Sequence, residues 1–280
     1  MGAQSAKGAA GTLGHAGALS FHPRKTLTTG EGGMVTTNDP HLAERARALR
    51  NHGASVSEEQ RHLGPQPYLL PEFNLLGFNY RMTDLQAAVG LSQLRRLDDL
   101  LAFRTYRAGW YRERLAPIPW LRLPAEPAAG RHSWQSFVTF VDEASAPCSR
   151  NDMMRRLEAA RIGVRPGTHA VHTLGLYRER FGYRPEDFPG AVACAEQSMA
   201  IALHNRMNPE DFERVAATLE AFRLSLLLRN NQHADHIDVL WDHHPPLFAG
   251  QSASQYAAHP REIRGVRGVG PHRRRRAACG

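Results

Sequence analysis

The sequence predicts an α/β chain in two parts. The first is the remainder of a larger α/β domain over residues 1–118, ending in a long connecting helix; the second is a small α+β domain over 119–228. Three observations carry this. Residues 18–21 and 33–37 have strand composition and flank a tight, glycine-rich loop. Thr83 stands where it can cap a long helix, with Asp84 placed favourably at the positive end. Beyond Pro117 and Pro119 the pattern changes to short alternating strand and helix units, the mark of a separate small domain.

In order along the chain, residues 1–17 are rich in Gly, Ala and Ser, and nothing before the strand at 18–21 is expected to pair with it. Asn38, Asp39 and Pro40 start a helix that runs through Leu42 to Leu49 and stops before Gly53. Residues 54–77 read as a long polar excursion. In the helix from Asp84, the positions Leu94, Leu97, Leu101, Tyr111 and Leu115 define one buried face. In the second part the expected order is a strand at 136–141, a helix at 151–161, an edge at 163–165, a short helix or turn at 177–182, a helix at 191–198 and a strand at 199–203. A last helix opens at Asn208 and Pro209 and runs to about Leu228.

With 280 residues, 42% of them apolar, the chain can bury a real core. Cys148, Cys194 and Cys279 are odd in number and widely spaced, which argues against a disulfide framework or a metal cage and fits a reducing cytoplasm. There is neither an apolar run long enough to span a membrane nor the charged and apolar regions of a signal peptide, so no membrane partner is expected. The formal charge of +8 is concentrated near the end, at Arg261, Arg264, Arg267 and the run from Arg273 to Arg276. Residues 229–280 therefore read either as a basic arm for polyanions or, more simply, as a poorly ordered extension; a nucleic-acid partner rests on this tail alone.

The stretch that organises the chain is residues 20–35, S-F-H-P-R-K-T-L-T-T-G-E-G-G-M-V. Composition leaves two readings of its lysine, Lys25. It is a solvated loop residue, or an amine held in one geometry and partly desolvated so that it can attack a carbonyl.

This stretch, followed by G-F-N-Y-R-M-T-D-L-Q-A-A-V-G-L-S-Q-L, then G-V-R-P-G-T-H-A-V-H, Y-R-P-E-D-F-P-G-A and L-H-N-R-M-N-P-E-D-F, resembles the DegT/DnrJ/EryC1/StrS family of sugar aminotransferases. The resemblance is collinear from Gln4 to Leu228. It implies a fold-type-I aminotransferase that depends on pyridoxal phosphate, works as a homodimer in the cytoplasm, and transfers an amino group from glutamate to a keto carbon of a nucleotide-linked sugar.

Residue by residue, the resemblance implies that Lys25 holds the cofactor as a Schiff base and later moves the proton. Ser20 would bind the cofactor phosphate, and Gln4 would pack near the ring. Asn79 would reach the phosphate from the neighbouring subunit, with Arg81 beside it, although a salt bridge at a helix start explains Arg81 equally well. His169 and His172 would line a substrate channel; without the resemblance they are ordinary polar loop residues. Three residues before Gln4, where the family places the aspartate that keeps the ring nitrogen protonated, stands Met1. The chain is thus expected to lack the N-terminal part of such an enzyme and to have weak activity alone. A sugar dehydratase of the same fold would carry histidine in place of Lys25, and a regulatory relative would bind the cofactor without turnover.

Overall fold

The computed structural model describes residues 1–231. Beyond Asn231 the expected basic tail, and with it both readings of that tail, lies outside the described residues.

The chain opens with two-residue strands β1 (Gln4–Ser5) and β2 (Gly8–Ala9), followed by β3 (Gly17–Ser20) and β4 (Gly33–Thr36). The segment before β3 does not pair with it but forms a small sheet of its own: β1 pairs antiparallel with β2 on one side and with β6 (Gly130–Arg131) on the other. The reason lies in a distant glycine. A Cβ on Gly130 would stand 2.3 Å from the Gln4 carbonyl oxygen, so only glycine permits the approach. β3 and β4 form the expected hairpin, with Ser20 opposite Gly33, and the lysine loop is its connection.

Helix α1 (Pro40–Arg50) begins where the capping signal puts it, with the Asp39 carboxylate accepting from the backbone N–H groups of His41 and Leu42. The excursion that follows contains an unexpected helix, α2 (Glu58–Leu63). Its start is a reciprocal capping box: Ser57 Oγ accepts from the Gln60 N–H, and Gln60 Oε1 accepts from the Ser57 N–H.

The long helix expected from Asp84 is two helices, α3 (Asp84–Leu94) and α4 (Leu97–Leu115), separated at Arg95 and Arg96. No proline or glycine forces the break. It divides two helices with different tasks: α4 buries Leu101, Arg104, Ala108, Tyr111 and Leu115 at alternating spacings of three and four, whereas Leu94 at the end of α3 is exposed. The predicted buried face therefore holds from Leu101 onward, with Leu97 half-buried, and fails at Leu94.

The core lies in the C-terminal half. β5 (Leu121–Arg122), β7 (Phe137–Val141), β8 (Arg165–Pro166) and β9 (Ser198–Ile201) form an antiparallel sheet in the order β5-β7-β9-β8. β7 alternates strictly, burying Phe137, Thr139 and Val141, while β9 is buried throughout. Helices α5 (Arg150–Ala159), α6 (Gly175–Phe181), α7 (Pro189–Gln197) and α8 (Pro209–Asn231) complete the chain. Met153 and Leu157 of α5, Phe212, Leu219 and Phe222 of α8, and the end of α4 close over Trp120, Trp134 and the sheet in one apolar cluster. The core thus begins within α4, upstream of residue 119.

Candidate functional site

The loop between β3 and β4 is anchored by what it buries. Phe21, Leu27 and Thr29 are each about nineteen-twentieths buried, while Pro23, Arg24 and Lys25 form an exposed crest. Turn hydrogen bonds shape the crest: the Lys25 N–H donates to the His22 carbonyl at 2.9 Å, and the Arg24 N–H to His22 Nδ1 at 3.2 Å. At its base the Thr29 N–H and Thr28 Oγ1 both donate to the Phe21 carbonyl, at 3.0 and 2.9 Å. Gly32, at φ +153, would place a Cβ 2.5 Å from Thr29 Oγ1, which explains the glycine there. The partial desolvation expected of Lys25 is not supplied by the described residues, because the apolar anchors on either side point inward and leave the lysine on the outside.

Three glutamine side chains that the sequence reading did not single out hold this loop from outside. Gln135 Oε1 accepts from the Thr26 N–H at 3.0 Å and from Thr26 Oγ1 at 3.1 Å, and its Nε2 donates to the Arg24 carbonyl at 2.9 Å. Gln93 of α3 repeats the arrangement at Thr28: Nε2 donates to the Thr28 carbonyl at 2.6 Å, and Oε1 accepts from its N–H at 3.2 Å. Gln86 Nε2 donates to the Glu31 carbonyl at 3.0 Å. A primary amide carries a donor and an acceptor side by side, so it can pair with a backbone as another backbone would.

Ser20 ends β3 at the foot of the loop, exposed, its Oγ accepting weakly from the His22 N–H at 3.4 Å. Asn79 and Arg81 lie on a segment bound to the end of α1. The Phe78 N–H donates to the Leu49 carbonyl and the Tyr80 N–H to the Arg50 carbonyl, and Asn51 and Asn79 form an antiparallel bridge. Arg81 Nη1 donates to Asn51 Oδ1 at 2.6 Å, so its partner is a neutral amide and the salt bridge considered for it is replaced by this contact. The segment continues into Met82, whose Cε would stand 3.1 Å from a Cβ placed on Gly32, and then into α3, which Thr83 caps as expected. Ser20, Lys25, Asn79 and Arg81 are thus carried by elements that pack on one another.

The other predicted residues are on other elements. Gln4 is exposed on β1, in a different sheet from the lysine hairpin. The histidine pair separates: His169 is exposed, while His172, in a short turn at Val171–Thr173, is 7% exposed with its ring edge-on to Phe188 at 4.9 Å. His172 Nε2 is buried and finds no hydrogen-bond partner among the described residues. Also among the described residues, no group of three or more His, Cys, Asp or Glu side chains is placed to hold a metal, and no helix is long and apolar enough to cross a membrane.

Comparison with known proteins decides the family. The model of the DegT/DnrJ/EryC1/StrS aminotransferase family matches residues 1–220. The chain belongs to that family. Members are pyridoxal-phosphate-dependent sugar aminotransferases, and the architecture is that of a fold-type-I aminotransferase, as the sequence motifs imply. The chain is similar to the spore coat polysaccharide biosynthesis protein SpsC of Bacillus subtilis, at 37% identity over 214 residues, which are 76% of this chain and 54% of SpsC. GDP-perosamine synthase of Caulobacter vibrioides is 35% identical over 211 residues, 75% of this chain and 53% of its own. Among solved structures, the aminotransferase TlmJ from Streptoalloteichus hindustanus superposes with a TM-score of 0.69 at 29% identity, over 80% of this chain and 56% of TlmJ. The chain spans about half the length of the curated relatives it matches.

Proposed function

We propose that this chain carries the lysine-bearing part of an aminotransferase that moves an amino group from glutamate to a keto carbon of a nucleotide-linked sugar. The observation that supports this most is the lysine loop itself, where Lys25 sits at an exposed crest whose backbone is pinned on both flanks. The residues are also chemically suited to pyridoxal phosphate: within one chain a primary amine for its aldehyde and a hydroxyl (Ser20) for its phosphate, and an amide (Asn79) with a guanidinium (Arg81) beside it for the phosphate held by a neighbouring copy. When bound, the cofactor supplies an electron sink that loosens the proton on the amine-bearing carbon. Lys25 Nζ is the chain's contribution to that chemistry, a nucleophile when neutral and a proton donor when charged. Gln4 would lie against the ring, and of the two histidines only His169 is exposed to meet the sugar.

The reading extends to a homodimer in which Asn79 serves the neighbouring subunit's cofactor. The exposure of Tyr80, Leu85, Val89, Leu91 and Leu94, on and just before α3, is the apolar surface such a contact needs. In this chain Met1 offers no carboxylate to a pyridine nitrogen, and the surroundings of Lys25 are open. Activity of this chain alone is therefore expected to be weak. The exposure of Lys25 also favours a second reading, cofactor binding without turnover.

The test is to incubate the purified chain with pyridoxal phosphate, glutamate and a nucleotide-linked keto sugar and to quantify the amino sugar. Little product is expected. Robust transfer would overturn the expectation of weakness, bound cofactor with no glutamate half-reaction would favour the second reading, and failure to take up cofactor at all would sink both.

A further inference from the structure

We infer that Gln135 is a positioning residue for Lys25, and that it acts by clamping the backbone on both sides of that lysine. The inference rests on the role proposed above for Lys25. The carboxamide spans the crest: its nitrogen holds the carbonyl of Arg24 and its oxygen holds the N–H of Thr26, so the residue between them is fixed at its preceding and its following peptide. Thr26 Oγ1 adds a third bond to the same oxygen.

The clamp is itself mounted on the core. Trp134, the preceding residue, is fully buried, has a left-handed backbone at φ +48, and stacks on Phe137. A bulky side chain in that region persists only where its surroundings hold it. They do so here through the Trp134 N–H, which donates to His132 Nδ1 at 2.8 Å, and through Arg104, whose Nη1 donates to the carbonyls of Trp134 at 2.8 Å and Gln135 at 3.3 Å. Arg104 Nε in turn donates to Asn205 Oδ1 at 2.8 Å, and Asn205 Nδ2 to the Leu100 carbonyl at 2.8 Å. A continuous polar path thus runs from the start of α4, through a buried guanidinium, to the peptides that flank Lys25. A side chain that merely filled space would need neither the two-sided pairing nor the strained mount.

The consequence is that Gln135 restricts where the Lys25 amine can point without touching the amine. Trypsin reads this directly, because it cuts after Arg24 and after Lys25 and needs the local backbone to open. In the full 280-residue chain without cofactor, Gln135→Ala is expected to speed cleavage at the bond between Lys25 and Thr26 roughly tenfold, the effect of losing one or two net hydrogen bonds. Cleavage at other exposed sites such as Arg45 and Arg180 should not change. Gln135→Glu, which keeps the acceptor for Thr26 and loses the donor for Arg24, should fall between.

A second readout uses pyridoxal phosphate followed by borohydride reduction and peptide mapping. Gln135→Ala should need several-fold more cofactor to reach half-labelling while still carrying the label at Lys25. Unchanged cleavage in Gln135→Ala, or cleavage that rises equally at every site, overturns the clamp. Half-labelling at the unsubstituted chain's concentration overturns the positioning role. A label elsewhere than Lys25 in the unsubstituted chain sinks the functional reading on which the positioning role depends, and the proteolysis then judges the clamp alone.

Discussion

A guanidinium buried to 5% exposure, as Arg104 is, loses its water and must be repaid by acceptors. Arg104 meets them in the carbonyls of Trp134, Gln135 and Leu203 and in Asn205 Oδ1, and burial still pulls its pKa below the usual arginine value. Arg104→Ala would leave buried carbonyls without donors, at a cost of about 3 kcal/mol or more. Urea unfolding should show it, and Arg104→Lys should recover only part, because a point charge cannot serve acceptors spread over a fork. Neither Arg104 nor Gln135 was legible in the sequence. Arg104 occupies an apolar stripe where a charged residue reads as a solvated interruption, and Gln135 acts on residues 109 to 111 positions away. Lys25, Ser20, Asn79 and Arg81 are proposed from motifs that are local in the sequence. What those motifs could not convey is exposure: the surroundings of Lys25 depend on residues far along the chain.

Helix starts were the most readable elements, since a cap is a contract between residues two or three apart. Asp39, Thr83 and the Asn208-Pro209 pair all open helices where the sequence places them, and Ser57 with Gln60 opens one whose capping box is plain once seen. The break between α3 and α4 carries no such mark. It is set by what each helix packs against, α3 on the lysine loop through Gln86 and Gln93 and α4 on the core.

One cap also has a pH signature. Ser149 begins α5, accepting from the Asp152 N–H while its hydroxyl donates to the Asp152 carboxylate at 2.7 Å. That hydrogen bond, helped by Arg155 and Arg156 and opposed by burial, holds the Asp152 carboxyl below the ordinary value of 3.8. Because the folded value is depressed, the contribution is complete above the unfolded value and is lost as pH falls through the folded one. Ser149→Ala should cost about 1 kcal/mol at neutral pH. A carboxyl titration followed by NMR should show Asp152 moving back up towards 3.8.

At the scale of the molecule the two ends of the described chain differ in kind. The apolar cluster that joins α4, the four-stranded sheet, α5 and α8 is fully enclosed, whereas Leu63, Leu70, Leu76 and Leu85 are more than four-fifths exposed. Large apolar side chains left this exposed over one stretch of the chain suit a surface that another molecule covers. Hydrogen exchange should therefore be slowest in β7, β9 and the second half of α4, and fastest across residues 53–94, with the latter gaining protection as concentration rises if copies associate there. In the small antiparallel sheet β7 follows from alternation within the sequence, and the buried faces of its enclosing helices from helical spacing. The β1 and β6 pairing does not, because it joins segments more than 120 residues apart through a glycine contact with no local sign.

The central claim is that Lys25 is the residue to which pyridoxal phosphate attaches. The most direct measurement is reduction of the chain with borohydride in the presence of pyridoxal phosphate, followed by peptide mapping of the modified lysine. The account predicts a single dominant adduct on Lys25, with Lys7 unmodified and no adduct on the Lys25→Ala chain. A label spread over Lys7 and the amino terminus, or one that survives Lys25→Ala undiminished, would contradict it.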